Sequence, residues 1–256
     1  MNPWELLGKT TTPAGDDMTL MLRSGEYVIL ASGKTLMSSR MHGSEEALAA
    51  LGCADARYLA DPVVLVGGLG MGFTLRATLD LLPRNATVIV AELVAGVVDW
   101  NRGPLGPLTQ HPLRDPRVHV EVDDVNAVLR DSPGRFDAVL LDIDNGPDAF
   151  TTEGNHWLYN DGGLATIRAA LRGRGTVAVW SAWEDRKFEQ RLRWAGFTVQ
   201  TDRVRARLSK GGPKHVIFCG TMAADAPPPG SRRSRLEAAR AAAATSPAAP
   251  AVRSRA

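Results

Sequence analysis

Val63-Val64-Leu65-Val66-Gly67-Gly68-Leu69-Gly70-Met71-Gly72 joins an apolar run to a glycine-rich loop. Val63–Val66 is a continuous apolar run, too short for a helix and bounded by glycine, so it reads as a buried strand. Phe73 to Leu82 follows with Leu75, Leu79 and Leu82 on one helical face. A strand that turns through glycines into a helix is the first half of a βαβ unit. Glycines at 68, 70 and 72 let a ligand approach the backbone closely, and the helix start offers free N–H groups. The same loop without a ligand would be a structural turn.

Working outward, strands keep alternating with helices, which argues for a mostly parallel sheet. Thr87–Ala91, Val118–Val122, Ala138–Leu141 and Thr176–Trp180 read as strands. Leu93 to Asn101, Asn126–Arg130, Asp161–Leu171 and Glu184–Trp194 read as helices. Phe197–Arg203 and His215–Cys219 close the sheet through a turn at Gly211-Gly212-Pro213. Towards the N-terminus, Ser44 is expected to cap a helix with Glu45 and Glu46 in its first turn and Ala47, Leu48 and Leu51 on its apolar face. Before it, Thr19–Arg23, Tyr27–Ala31 and Thr35–Met37 form a small antiparallel β unit with turns at Ser24-Gly25 and Ser32-Gly33. Residues 1–17 give no clear element.

The expected fold class is therefore α/β, a Rossmann-like, mostly parallel seven-stranded sheet with a small N-terminal antiparallel β unit. Residues 1–40 hold the N-terminal segment, 41–222 the nucleoside-binding catalytic domain and 223–256 a disordered Ala/Pro/Arg tail.

Charge follows this division. The net charge is +2, but the segment from Ala223 carries six Arg against Asp225 and Glu237, which leaves the folded body at −2. The basic balance thus gives no reason for a specific nucleic-acid partner, and no aromatic residues are interleaved in the tail for base stacking. Cys53 and Cys219 are the two cysteines and neither belongs to a Cys/His cluster, so no metal site or disulfide framework is expected. No basic n-region, apolar h-region or run of membrane-spanning length is present, so a cytoplasmic protein without membrane attachment is expected.

The spacing of the loop narrows the ligand. A dinucleotide fingerprint starting at Gly68 needs glycine at 73, where Phe73 stands. A diphosphate makes that third glycine valuable, whereas a nucleoside without phosphates does not need it. Acidic residues then follow successive strands, on the side where open α/β sheets bind ligands. Glu92, about 20 residues after the loop, is placed to accept ribose hydroxyls. Asp123 and Asp124 follow the third strand, where a carboxylate can accept from an adenine amino group. Asp142 ends the fourth strand, above the reactive end. Singly, each could be a loop acid or a helix cap. In series with Gly68, Gly70, Met71 and Gly72, they point to S-adenosylmethionine or a close analogue, with no metal required.

Asp142, Asp144, Asp148 and Glu153 place four acids in twelve residues, which suits a cationic amine acceptor or the removal of its proton. An exposed turn would use the same residue types. His156, Trp157, Tyr159, Trp180 and Trp183 serve either a lid or core packing.

The pattern resembles the spermidine synthase family, within the class I SAM-dependent methyltransferase-like fold, from about Tyr27 to Gly220. The resemblance rests on Ser44-Glu45-Glu46, the glycine loop followed by Thr74-Leu75-Arg76, Asp115-Pro116-Arg117-Val118, Asp123-Asp124, Phe136-Asp137, Leu141-Asp142 and Leu158-Tyr159. It implies that Glu92 holds the ribose, Asp124 the adenine, and that Asp142 faces the transferring group. It also implies a homodimer built through the N-terminal β unit.

Three positions depart from the family. Met71 stands where the family carries an aspartate facing the amine of decarboxylated SAM, and Leu36 where it carries a glutamine. Asn145 aligns with the catalytic aspartate, next to Asp144. On these departures the expected reaction is methyl transfer from intact SAM to a small acceptor, with Asp142, Asp144 and Asn145 as catalytic candidates. Aminopropyl transfer from decarboxylated SAM is the alternative. A non-catalytic nucleoside-binding protein is the third reading.

Overall fold

Two-residue turns set the N-terminal region. Ser24 and Gly25 have φ 48° and 79°, and Ser32 and Gly33 have φ 47° and 75°. Consecutive positive φ values match the twist of a tight antiparallel hairpin. In the computed structural model, which describes residues 2–143, 157–207 and 212–222, these turns join β2 to β3 and β3 to β4. The sheet contains β1 (Glu5–Thr11), β2 (Asp17–Arg23), β3 (Glu26–Ala31) and β4 (Lys34–Ser38), in that order and antiparallel.

The first strand corrects the expectation that residues 1–17 are irregular. Glu5-Leu6-Leu7-Gly8-Lys9-Thr10-Thr11 lacks clean alternation because its register shifts between Leu6 and Gly8. The irregularity has a packing cause. A Cβ at Gly8 would overlap the indole of Trp100, and a Cβ at Gly96 would overlap Thr10. The two bodies of the protein thus meet through a glycine on each side.

The helix α1 (Gly43–Gly52) begins at His42, not at Ser44. The His42 ring stacks on Phe73 at 4.2 Å, and its Nδ1 lies 2.8 Å from Glu46. Ser44 makes no cap because its hydroxyl is engaged elsewhere in the site.

From residue 63 the alternation is as expected: β5 (Val63–Gly67), α2 (Phe73–Leu81), β6 (Thr87–Ala91), α3 (Ala95–Arg102), β7 (Val118–Glu121), α4 (Val125–Arg130) and β8 (Phe136–Leu141). Then come α5 (Asp161–Ala170), β9 (Leu171–Ser181), α6 (Arg186–Trp194), β10 (Phe197–Arg205) and β11 (Lys214–Met222). The seven strands lie in the order β10-β11-β9-β8-β5-β6-β7. β5 to β9 run parallel, and β11 is antiparallel to both of its neighbours.

Two apolar clusters sandwich the sheet. One joins α1, α2 and α3 to Val64, Val66, Val88 and Leu140, and the other joins α4, α5 and α6 to Leu65, Ile89, Val139 and Leu141. Burying a side chain of this size contributes roughly 2 kcal/mol. The three central residues of β5 therefore outweigh any of the exposed ion pairs, each worth under about 1 kcal/mol. Among the described residues no helix is long and apolar enough to cross a membrane, and both cysteines are buried free thiols. The tail from 223 and part of the turn before β11 lie outside the described residues.

Candidate functional site

The chain reverses direction across the sheet between β5 and β8, so the ends of these two strands open a crevice of the kind where open α/β sheets bind ligands. The glycine loop fills one side of it. Gly68, Gly70 and Gly72 all have positive φ, at 88°, 50° and 83°. At Gly68 a side chain is also excluded by space, because a Cβ there would strike the carbonyl oxygen of Asp142. The loop is drawn in against the end of β8, and Asp142 N–H donates to the Gly67 carbonyl at 2.9 Å. Above the loop, the Met37 sulfur of β4 stands 3.1 Å from where a Gly70 Cβ would be. The N-terminal sheet therefore roofs this part of the crevice.

Glu92 shapes the loop from below. Its carboxylate accepts from the Leu69 N–H and the Val94 N–H, both at 2.9 Å. Burial pushes this carboxyl above the usual carboxylate range, against the pull of those backbone donors. The Gly70 and Leu93 N–H groups also bear on this carboxylate, so its first role is to fix the glycine loop from within. Asp124 is the N-cap of α4, and its Oδ1 accepts from the Asn126 N–H at 2.9 Å and the Asn126 amide at 3.0 Å. Asp123 is exposed and accepts from the Asp124 N–H at 2.7 Å.

Met71 is placed differently from the sequence reading. Its side chain is 0% exposed and belongs to the core cluster, so only its backbone can border a ligand. Leu36, 47% exposed on β4, does not fill the gap. Asp144 and Asn145, with Asp148, Glu153 and His156, lie outside the described residues.

At the transfer end, Asp142 accepts from Thr74 Oγ1 at 2.6 Å. Burial raises its carboxyl to about 6, and the Thr74 hydroxyl opposes the shift. The residue facing it is one that the sequence reading passed over. Glu45, on the first turn of α1, is 7% exposed. Its carboxyl is pushed up to about 8, first by burial and then by the charge of Asp142, and the Ser44 hydroxyl opposes this. Ser44 Oγ donates to Glu45 Oε2 at 2.6 Å and lies 2.9 Å from Nδ1 of His215 on β11. His215 in turn meets the Trp180 ring edge-on at 4.6 Å.

Helical spacing could have revealed Glu45. It shares a stripe with Leu48, Ala49 and Gly52, at i, i+3, i+4 and i+7, all of them buried. An acid on that stripe is turned inward, whereas Glu46 is turned out. The aromatic candidates divide as well. Tyr159 packs edge-on against Phe188 at 5.6 Å, and Trp157 and Trp183 are exposed. A separate cavity of about 450 Å³ lies over the N-terminal sheet, against Trp4, Met21, Arg23, Arg40 and Arg207, and touches none of the candidate site residues. No group of three or more His, Cys, Asp or Glu residues is placed to hold a metal ion among the described residues.

Comparison with family models finds no match, and comparison with curated proteins finds none either. Solved structures do match. A spermidine synthase in complex with the transition-state analogue AdoDATO aligns with a TM-score of 0.65 and 17% identity, over 86% of this chain and 73% of that one. The spermidine synthase from Thermotoga maritima gives a TM-score of 0.64 at 17% identity, over 86% and 74%. A probable spermidine synthase from Corynebacterium glutamicum gives 0.54 at 19%, over 84% and 79%. The fold is that of the spermidine synthases. Both layers of that fold are present, the four-stranded antiparallel sheet and the seven-stranded mostly parallel one.

Proposed function

We propose that this chain transfers an aminopropyl group from a decarboxylated SAM-type nucleoside to a small amine. The observation that carries the reading is the pairing of Glu45 with Asp142 at the transfer end. The charge of the partly buried Asp142 acts there on the buried Glu45 carboxyl, and neither is balanced by a Lys or Arg among the described residues. A site of this kind attracts a cation.

The same pair turns the reading away from methyl transfer. Intact SAM brings its own carboxylate beside its amine. A like charge at 4 Å costs about 4 kcal/mol at the effective dielectric of a protein surface. A decarboxylated donor brings the ammonium alone. Met71, Leu36 and Asn145 favour intact SAM on sequence, but where Met71 supplies no acid, Glu45 offers a carboxyl from another element. The likeness in fold to proteins named as spermidine synthases supports the same choice.

In this reading the loop amides from Gly68 to Gly72 and the Glu92 carboxylate hold the sugar, and Asp124 holds the base. The donor supplies a sulfonium whose adjacent methylene is open to attack, so that a C–N bond forms as a C–S bond breaks and sulfur keeps the electron pair. The chain's own contribution is to position the acceptor and to take its proton. Asp142, raised to about 6, accepts a proton near neutral pH more readily than an ordinary aspartate. Proximity supplies much of the remaining acceleration.

The test is thermal stabilisation by decarboxylated SAM, SAM and methylthioadenosine, followed by incubation of the donor with 1,4-diaminobutane. Ligand at 100 times its dissociation constant stabilises the fold by about 2.7 kcal/mol. Preference for the decarboxylated donor and release of methylthioadenosine are expected. Preference for SAM with release of S-adenosylhomocysteine returns the reading to methyl transfer. Binding without any sulfur product leaves a nucleoside-binding protein.

A further inference from the structure

We infer that Glu45 and Asp142 hold one proton between them before an amine binds, and that an incoming ammonium group displaces this proton along Ser44 to His215. The inference rests on the amine-transfer reading above and names the device by which that site admits a cation.

The Ser44 hydroxyl is wholly buried, lies 2.6 Å from Glu45 Oε2, and reaches His215 Nδ1, 171 residues away in sequence, at 2.9 Å. A hydroxyl has one proton and can donate in only one direction at a time. With Glu45 ionised, Nδ1–H of His215 donates to Ser44, and Ser44 donates to the carboxylate. With Glu45 protonated, its O–H donates to Ser44, and Ser44 donates to a bare Nδ1. The two arrangements differ by one proton moved from carboxyl to imidazole, with no change in heavy-atom positions.

The energetics favour passage over storage. The charge of Asp142 acts on Glu45, so the two acids resist double ionisation and titrate as a unit. Glu45 near 8 and Asp142 near 6 leave about one proton on the pair at neutral pH. Burial lowers the affinity of His215 for a second proton, so the ring delivers the proton onward instead of keeping it. His215 is half-buried, whereas Ser44 and Glu45 are buried, so the chain of bonds leads from inside to outside.

The titratable groups turned toward Glu45 are Asp142 beyond β8, Glu46 on α1 and, through Ser44, His215 on β11. Of the other charges on the elements packed against α1, Arg174 of β9, Arg205 of β10 and Lys214 of β11 are exposed to solvent. Arg76 pairs with Asp80 on α2, Arg172 with Asp137 across β9 and β8, and Arg203 of β10 with Glu184. Asp202 of β10 acts on Cys219, and His42 on Glu46.

The experiment is calorimetric binding of 1,4-diaminobutane to the full chain saturated with methylthioadenosine, at pH 7 in two buffers of different ionisation enthalpy. About one proton released per amine bound is expected. Glu45→Gln should abolish that release and weaken binding roughly tenfold. His215→Gln should keep the stoichiometry but slow release about tenfold in a stopped-flow measurement with a pH dye. Binding with no buffer-dependent heat overturns the inference. So does unchanged release in Glu45→Gln, which would place the proton on the amine itself. In both cases retained methylthioadenosine binding leaves the transfer reading standing. If methylthioadenosine gives no stabilisation, the transfer reading fails and the inference falls with it.

Discussion

The two halves of the crevice are built on opposite plans. On the proposed donor side, under β5, β6 and β7, the candidate acids accept from backbone N–H groups close by in the chain or in the adjoining loop. Glu92 holds Leu69 and Val94, and Asp124 holds Asn126. On the transfer side, the acids come from distant segments and are held by side chains: Glu45 by Ser44, and Asp142 by Thr74. Backbone donors fix a carboxylate's shape, and its charge state matters little to that role. Hydroxyl donors and a facing acid leave the proton free to move. Under the proposed transfer reaction, the difference separates a half that positions from a half that reacts.

The sharpest test of this division is Asp142→Asn. Turnover to methylthioadenosine should fall on the order of a thousandfold, while nucleoside-induced stabilisation persists. Equal turnover would dissolve the distinction between the halves. Next comes Gly68→Ala, where positive φ and the Asp142 carbonyl both oppose a side chain. A loss on the order of 3 kcal/mol is expected from a denaturation midpoint, because strain and overlap add.

Third, the transfer half should reveal itself in stability against pH. The folded state holds the Glu45 proton more tightly than the unfolded chain. This contribution is therefore complete below about 4.5 and lost as pH rises through about 8. Glu45→Gln should remove this slope and stabilise the protein at pH 9 relative to the wild type, by roughly 2 kcal/mol. A parallel pH profile in the variant would show that Glu45 ionises freely. The smallest effect belongs to the donor half. Asp124→Ala should cost about 1 kcal/mol as a lost helix cap, with the same pH slope as the wild type.

The same division explains how much could be read from the sequence. The seven-stranded sheet was legible because its strands are short apolar runs punctuated by glycine. Glu92, Asp124 and Asp142 can be placed at the crevice from sequence because each follows the end of its strand within three residues. The transfer half was not, because Glu45 and His215 become neighbours only through the packing of α1 against β11. Ser44 was read as a cap from its place before two glutamates, yet its hydroxyl is committed to a contact 171 residues away. Met71 was read by alignment with the family, and side-chain direction within a left-handed loop does not follow from alignment. The strand Glu5–Thr11 was missed because its bulge at Gly8 answers to Trp100, not to a local rule.

That last contact has a consequence for handling and for inheritance. The indole of Trp100 is buried largely because Gly8 lets β1 lie flat over it, and β1 also closes the open edge of β2. A protease that clipped the first eleven residues would leave every candidate site residue in the chain. It would also uncover an aromatic patch beside an unpaired strand edge, the combination from which aggregates grow. Poor behaviour of a shortened form would therefore say nothing about its chemistry.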